Sequence, residues 1–141
     1  MAGELALGRE ELTAFLDEVF PQVHGQMQIE AVAPMMAEMV LLTDEQHLRP
    51  GGTISGPAMF MLADCAFYVA VLAMIGREAL TVTTSLSINF MRKPEARRLA
   101  AEARILKLGR SLAVGDVTLT QEGLSGPVAH AAVTYAIPPQ R

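Results

Sequence analysis

From Pro57 to Ile75 the chain runs nineteen residues whose only ionised side chain is Asp64. A helix that is apolar all round has no face to offer to water, so the rest of the chain must be able to enclose it. The flanks mark its ends. Arg49-Pro-Gly-Gly-Thr-Ile-Ser-Gly-Pro57 is dense in chain breakers, Pro57 suits a first helical turn, and Gly76 suits a C-terminal cap. A helix over about 57–75 is therefore expected. Its length is close to what a bilayer span requires. Burying Asp64 at mid-bilayer would cost about 3 kcal/mol, however, and the sequence that follows has the pattern of a sheet in a water-soluble protein. The expectation is a core helix covered by a sheet and by a second subunit, with no membrane.

That sheet can be traced along the chain. Residues 81–91 alternate Val82, Leu86, Ile88 and Phe90 with Thr81, Thr83, Ser85, Ser87 and Asn89, the period of a strand with one buried face. Three further strands are expected at Leu99–Leu108, Ser111–Gln121 and Val128–Ile137. The breaks at Pro94, Gly109-Arg110 and residues 122–127 are spaced as hairpin connections, and Gly115 inside the third strand reads as a bulge. Two earlier runs, Gln26–Ala33 and Met36–Thr43, join at Pro34. Residues 9–20 set Leu12, Phe15, Leu16 and Val19 on one face of a short helix stopped by Pro21. The expected class is α+β: a six-stranded antiparallel sheet around a long central helix, in a single domain over residues 1–141.

Composition narrows the function. With 141 residues, 51% hydrophobic and 18% charged, the chain is large and apolar enough for one buried core. Eleven Lys and Arg against fifteen Asp and Glu leave a net charge of −4, which provides no drive toward nucleic-acid phosphates, so nucleic acid is not an expected partner. One cysteine, Cys65, cannot form an intrachain disulfide. The three histidines show no metal-ligand spacing with it, so no metal is expected, and a reducing cytoplasm is the expected compartment. The first eleven residues carry acidic groups where a signal peptide would be basic, so no export signal is expected.

Two features carry chemistry. Asp64 lies about two turns into an apolar helix, where a carboxylate costs desolvation that Ala or Leu would avoid. Such a cost suits a catalytic group, but also a structural one that caps a neighbouring strand or pairs with Arg49 or Arg92; residue type leaves both open. The second feature is the turn. Amides around Gly56 at the helix N-terminus are unpaired and partially positive, and can hold an oxyanion; Gly51, Gly52 and Gly56 can equally serve only to turn the chain. Together, an oxyanion donor at the helix start and a carboxylate two turns on describe an acyl-transfer site. Cys65 points to a different face and reads as a small buried hydrophobe. His47 and His130 have no triad partner in sequence and read as structural. Met59, Phe60, Met61 and Phe67 read as core or as the lining of an acyl pocket.

The segment Ser55-Gly-Pro-Ala-Met-Phe-Met-Leu-Ala-Asp64-Cys-Ala-Phe67, followed by Val82-Thr-Thr-Ser-Leu-Ser-Ile-Asn-Phe-Met-Arg92 and Leu108-Gly-Arg-Ser-Leu-Ala-Val114, resembles the phenylacetate-pathway, PaaI-like branch of the hotdog-fold acyl-CoA thioesterases. The likeness spans roughly residues 25–137. It implies a sheet wrapped around helix 57–75 and a homodimer with active sites between subunits, often doubled to a homotetramer. In that family the helix begins at a His-Gly-Gly turn, and an Asp nine residues after the His acts as nucleophile or general base. The same register makes Asp64 the catalytic carboxylate and Gly56 the amide that polarises the thioester carbonyl. Ser55 then stands in place of the His and Arg49 where an Asn often stands. Both are departures, although a serine hydroxyl can still donate a hydrogen bond to thioester or water. Thr83 falls on a Ser/Thr position that helps orient water, or is an ordinary exposed strand threonine.

Arg92-Lys93-Pro94 and Lys107-Leu-Gly-Arg110 match segments where relatives grip coenzyme A, which implies substrate binding by Arg92 and Arg110, with Arg49 nearby. The implied activity is hydrolysis of an acyl- or aryl-CoA to free acid and coenzyme A, with no cofactor beyond the coenzyme A of the substrate. The alternative is a non-catalytic acyl-CoA-binding protein of the same fold. A hydratase would need a His beside Asp64, and none stands there.

Overall fold

Ser55 decides where the central helix begins. In the computed structural model, which describes residues 3–139, its hydroxyl accepts the amide of Ala58 at 3.2 Å, the N-cap geometry, and Pro57 occupies the first turn. The order of elements is α1 (Arg9–Val19), β1 (Met27–Ala33), β2 (Met36–Leu41), α2 (Gly56–Ile75), β3 (Val82–Phe90), β4 (Leu99–Leu108), β5 (Leu112–Thr120) and β6 (Ala129–Ala136). Helix α2 ends at Gly76, whose φ of 98° releases the chain from the helix. It is long and apolar enough to cross a membrane, but most of it is buried inside the protein.

The six strands form one antiparallel sheet in the order β1-β2-β4-β5-β6-β3. This is the expected α+β architecture, with a correction to its connections. The β1–β2 link at Pro34-Met35, the β4–β5 link at Gly109-Arg110 and the β5–β6 link are hairpins, but the link through Pro94 is not. It carries the chain from β3 at one edge across to β4, which pairs with β2 and β5. Break spacing fixes a connection's length without naming the strand it leads to.

The sheet curls around α2 because its inner face is built from small residues. Ala37, Ala101, Ala103, Ala113, Ala129 and Ala131 are all buried, and Gly115 marks the closest approach. A Cβ there would sit 2.0 Å from the Arg104 carbonyl oxygen and 2.6 Å from the Phe67 ring. The expected bulge lies opposite this glycine: the register slips between Ile105 and Lys107 on β4, leaving Leu106 as the extra residue. Gly115 itself is required by the close approach of the β4 backbone at Arg104 and of the Phe67 ring. On its packed sides α2 buries Leu62, Ala66, Phe67, Val69 and Ala73 completely.

A second bulge, at Thr84 on β3, changes which residues face the helix. Thr83 pairs with Tyr135 while Ser85 pairs with Thr134, so the strand's alternation reverses across the bulge. Leu86 and Ile88 face inward as expected, but Val82 turns outward and is 52% exposed, and Thr83 takes the inward position. Phe90, at the far end of the edge strand, is also 52% exposed.

Candidate active site

Apart from its two ends, at Gly56 and at Met74 and Ile75, α2 within one chain is sealed except along a single stripe. Pro57, Phe60, Met61, Asp64 and Tyr68 are the positions there that keep contact with solvent, and the spacing of three or four residues places them on one helical face. Asp64 is in the middle of that stripe. It forms no ion pair among the described residues, so the structural alternative of a partner at Arg49 or Arg92 is not realised.

The Asp64 carboxylate is instead held by two hydroxyls. Thr83 Oγ1 donates to Oδ1 at 2.7 Å and Tyr135 Oη donates to the same oxygen at 2.6 Å. The Tyr135 hydroxyl also lies 2.9 Å from the Asp64 main-chain carbonyl. Among the described residues Oδ2 has no hydrogen-bond partner. The group opens into a cavity of about 450 Å³ whose walls come from the end of α1 (Val19, Phe20), from α2 (Met61, Cys65, Tyr68), from Ala79 to Thr83 and from Tyr135. Burial and the neighbouring Asp64 charge push the Cys65 thiol up to about 12, so beside the site it is a protonated, buried group. Burial, reinforced by Asp64, likewise pushes Tyr135 well above the usual phenol range.

Gly56 occupies a different place. Pro57 has no N–H, Ala58 N–H is taken by the Ser55 side chain and Met59 N–H by the Ser55 carbonyl. Gly56 is therefore the one amide of the first turn left without a partner among the described residues. It lines a second cavity, of about 400 Å³, with Arg49, Thr53, Ile54, Met59, Phe90, Met91, Arg92, Lys93 and Pro94. Eight residues of helix separate Gly56 from Asp64, a rise of about 12 Å. Within a single chain, amide and carboxylate therefore lie too far apart to reach one carbonyl and open into two different cavities.

The remaining candidates divide accordingly. Arg49 is exposed at the rim of the Gly56 cavity. Arg92 lies there too, with Nη1 donating to the Pro127 carbonyl at 2.6 Å and the guanidinium over Gly126. Arg110 lies on the β4–β5 turn, at the end of the sheet where β3 begins, away from both other arginines. Ser55 uses an oxygen lone pair as the helix cap. Met61 lines the Asp64 cavity and Met59 the Gly56 cavity; Phe67 is core, and Phe60 is 40% exposed on the open stripe.

His47 is a structural latch. It is 4% exposed, its Nδ1 accepts from the Asp44 amide, and its Nε2 is 2.8 Å from Gln26 Oε1. His130 pairs with Asp116 at 2.9 Å on the outer face of the sheet, the side away from α2. Among the described residues no three His, Cys, Asp or Glu side chains cluster as metal ligands would. Sequence reasoning missed Tyr135. A tyrosine on the inward face of a strand needs a polar partner, and that was its only signal.

Residues 51–127, more than half of the chain, match the family described as the thioesterase superfamily. Among solved structures, a candidate thioesterase from a Silicibacter species is 54% identical, with a TM-score of 0.91, covering 99% of this chain and 97% of that one. A mutant form of the phenylacetic acid degradation protein PaaI from Thermus thermophilus is 27% identical, with a TM-score of 0.74, covering 84% of this chain and 99% of that one. Zebrafish thioesterase superfamily member 2 shares the fold at 22% identity and a TM-score of 0.82, covering 94% of this chain and all of that one (100%). No curated protein matches the chain by sequence.

Proposed function

Since the chain belongs to the thioesterase superfamily and has its hotdog fold, we propose that it hydrolyses the thioester of an acyl- or aryl-CoA to the free acid and coenzyme A. The observation that carries this reading is Asp64: a carboxylate on an otherwise apolar helix, without a cation partner among the described residues, held through one oxygen and open to a cavity through the other. Its free oxygen either takes a proton from water as the water attacks the carbonyl carbon, or attacks that carbon itself. Negative charge then moves to the carbonyl oxygen, where the Gly56 amide stabilises it. Collapse of the tetrahedral species breaks the C–S bond and the coenzyme A sulfur leaves, taking up a proton. On the second route this leaves a mixed anhydride of the acyl group with Asp64, which a water molecule hydrolyses to the free acid and the Asp64 carboxylate. One turnover in ¹⁸O-water reveals that route where the water attacks the Asp64 carbon of the anhydride, since Asp64 then gains the label and the first product carries an Asp64 oxygen.

The 12 Å between Gly56 and Asp64 on one helix makes this chemistry a matter for two copies of the chain. β3 is an edge strand with Val82, Phe90 and, just past its end, Met91 exposed, and an unpaired apolar edge favours pairing with another strand. Two β3 edges running antiparallel about a two-fold axis bring the Gly56 end of one protomer toward the Asp64 region of its partner. The same operation carries Arg110 of one protomer toward the end of the joint sheet that bears Arg49 and Arg92 of the other. These guanidiniums suit the phosphates of coenzyme A. Thr83 fixes the carboxylate, and Ser55 sets the start of the helix that presents Gly56.

The test is release of free thiol from a panel of short-chain, medium-chain and aryl-CoA thioesters. Hydrolysis of at least one supports the reading. Thermal stabilisation by acyl-CoA with no thiol released from any would favour the non-catalytic binding protein, for which the Ser55 and Arg49 departures speak.

A further inference from the structure

Tyr135 lies outside the 51–127 segment that matches the family, 71 residues from Asp64 in the chain, yet its hydroxyl makes the shortest contact in the site, 2.6 Å to Asp64 Oδ1. Its ring is 3% exposed and is held 5.5 Å from the Phe67 ring and 6.1 Å from the Tyr68 ring. The hydroxyl therefore has little freedom to move. Thr83, the other donor, is its direct cross-strand partner, and faces inward only because of the bulge at Thr84. Both donors converge on one carboxylate oxygen. Burial and the Asp64 charge keep the phenol protonated at neutral pH, so it remains a donor there.

Resting on the reading of Asp64 as the catalytic carboxylate, we infer that Tyr135 is its positioning residue: with Thr83 it fixes Oδ1, so that Oδ2 is the oxygen presented to water and thioester. The Tyr135 hydroxyl also lies 2.9 Å from the Asp64 main-chain carbonyl, so its single hydrogen is shared between two oxygens of the same residue. A carboxylate free to rotate about its terminal torsion would spend only part of its time with an oxygen aimed at the reacting carbon. Two donors on one oxygen remove that freedom.

Tyr135→Phe keeps the ring and deletes the hydroxyl. With an acyl-CoA that the wild type turns over, kcat is expected to fall about tenfold while KM stays within about twofold, the pattern of a lost transition-state interaction. The melting temperature is expected to stay near wild type, and Tyr135→Phe with Thr83→Val is expected to approach the activity of Asp64→Asn. Crystal structures supply a readout independent of turnover: one Asp64 carboxylate orientation in the wild type and more than one in Tyr135→Phe. Full kcat in Tyr135→Phe while Asp64→Asn is inactive overturns the role of Tyr135 and leaves that of Asp64 standing. If the wild type cleaves no thioester, the thioesterase reading falls, and the crystal comparison decides the positioning: a single unchanged carboxylate orientation in Tyr135→Phe overturns it.

Discussion

Asp64 and Cys65 are consecutive residues of one helix and both border the same cavity, yet their surroundings differ sharply. Cys65 is 4% exposed and dry enough that its thiol is pushed up to about 12. Asp64 opens into a cavity with one oxygen unpartnered among the described residues. A rotation of about 100° per residue carries the helix from its sealed side, packed on a curled sheet of alanines, to its open stripe. On the proposed function the sealed side makes the fold and the open stripe carries the chemistry, so substitutions on the two should fail in different assays.

The largest effect is expected on the sealed side at Gly115. A side chain there meets a backbone carbonyl that cannot swing aside, so Gly115→Val should cost about 3 kcal/mol or more, seen in urea unfolding as loss or collapse of the cooperative transition. Phe67→Ala, which empties a fully buried site, should cost about 3 to 5 kcal/mol in the same measurement. Ser55→Ala removes the cap of α2 and should cost about 1 kcal/mol, while Ser55→Asn, which can still cap, should recover most of it. Lost turnover with unchanged stability in both Ser55 variants would instead place the hydroxyl on the substrate.

The effect smallest at neutral pH is at Cys65. Burial, with the Asp64 charge beside it, pushes its thiol up from the ordinary 9.0 to about 12 in the folded chain. Between those values the unfolded chain has released a proton that the folded chain retains. The contribution to stability is therefore fully present below about pH 9 and lost as pH rises toward 12. Cys65→Ala should make the alkaline fall in unfolding free energy shallower over that window. An identical slope would mean that the thiol is not insulated from water.

Much of the fold was legible because it is written in local patterns. The apolar run and its Ser, Pro and Gly flanks gave α2 to within a residue, and alternation located the strands to within two. Pairing was harder. Pro94 looks like a hairpin break, yet the chain crosses the sheet there, since a strand's partner depends on which edge is free. Thr83 was placed by resemblance to relatives; simple alternation puts it on the outer face, and only the unpaired residue at Thr84 turns it toward Asp64. Tyr135 escaped because its role needs the registers of β3 and β6 and the rotation of α2 all at once. The separation of Gly56 from Asp64 was within reach of arithmetic, as eight helical residues cannot bring two groups to one carbonyl.

The central claim is that the carboxylate on the open stripe does chemistry and no structural work. Its most direct test is turnover of an accepted acyl-CoA by Asp64→Asn, measured beside its melting temperature. The expected result is a loss of about 10³-fold in kcat with melting little changed. Full turnover in that variant, or a loss of turnover that merely follows a loss of folding, would contradict it.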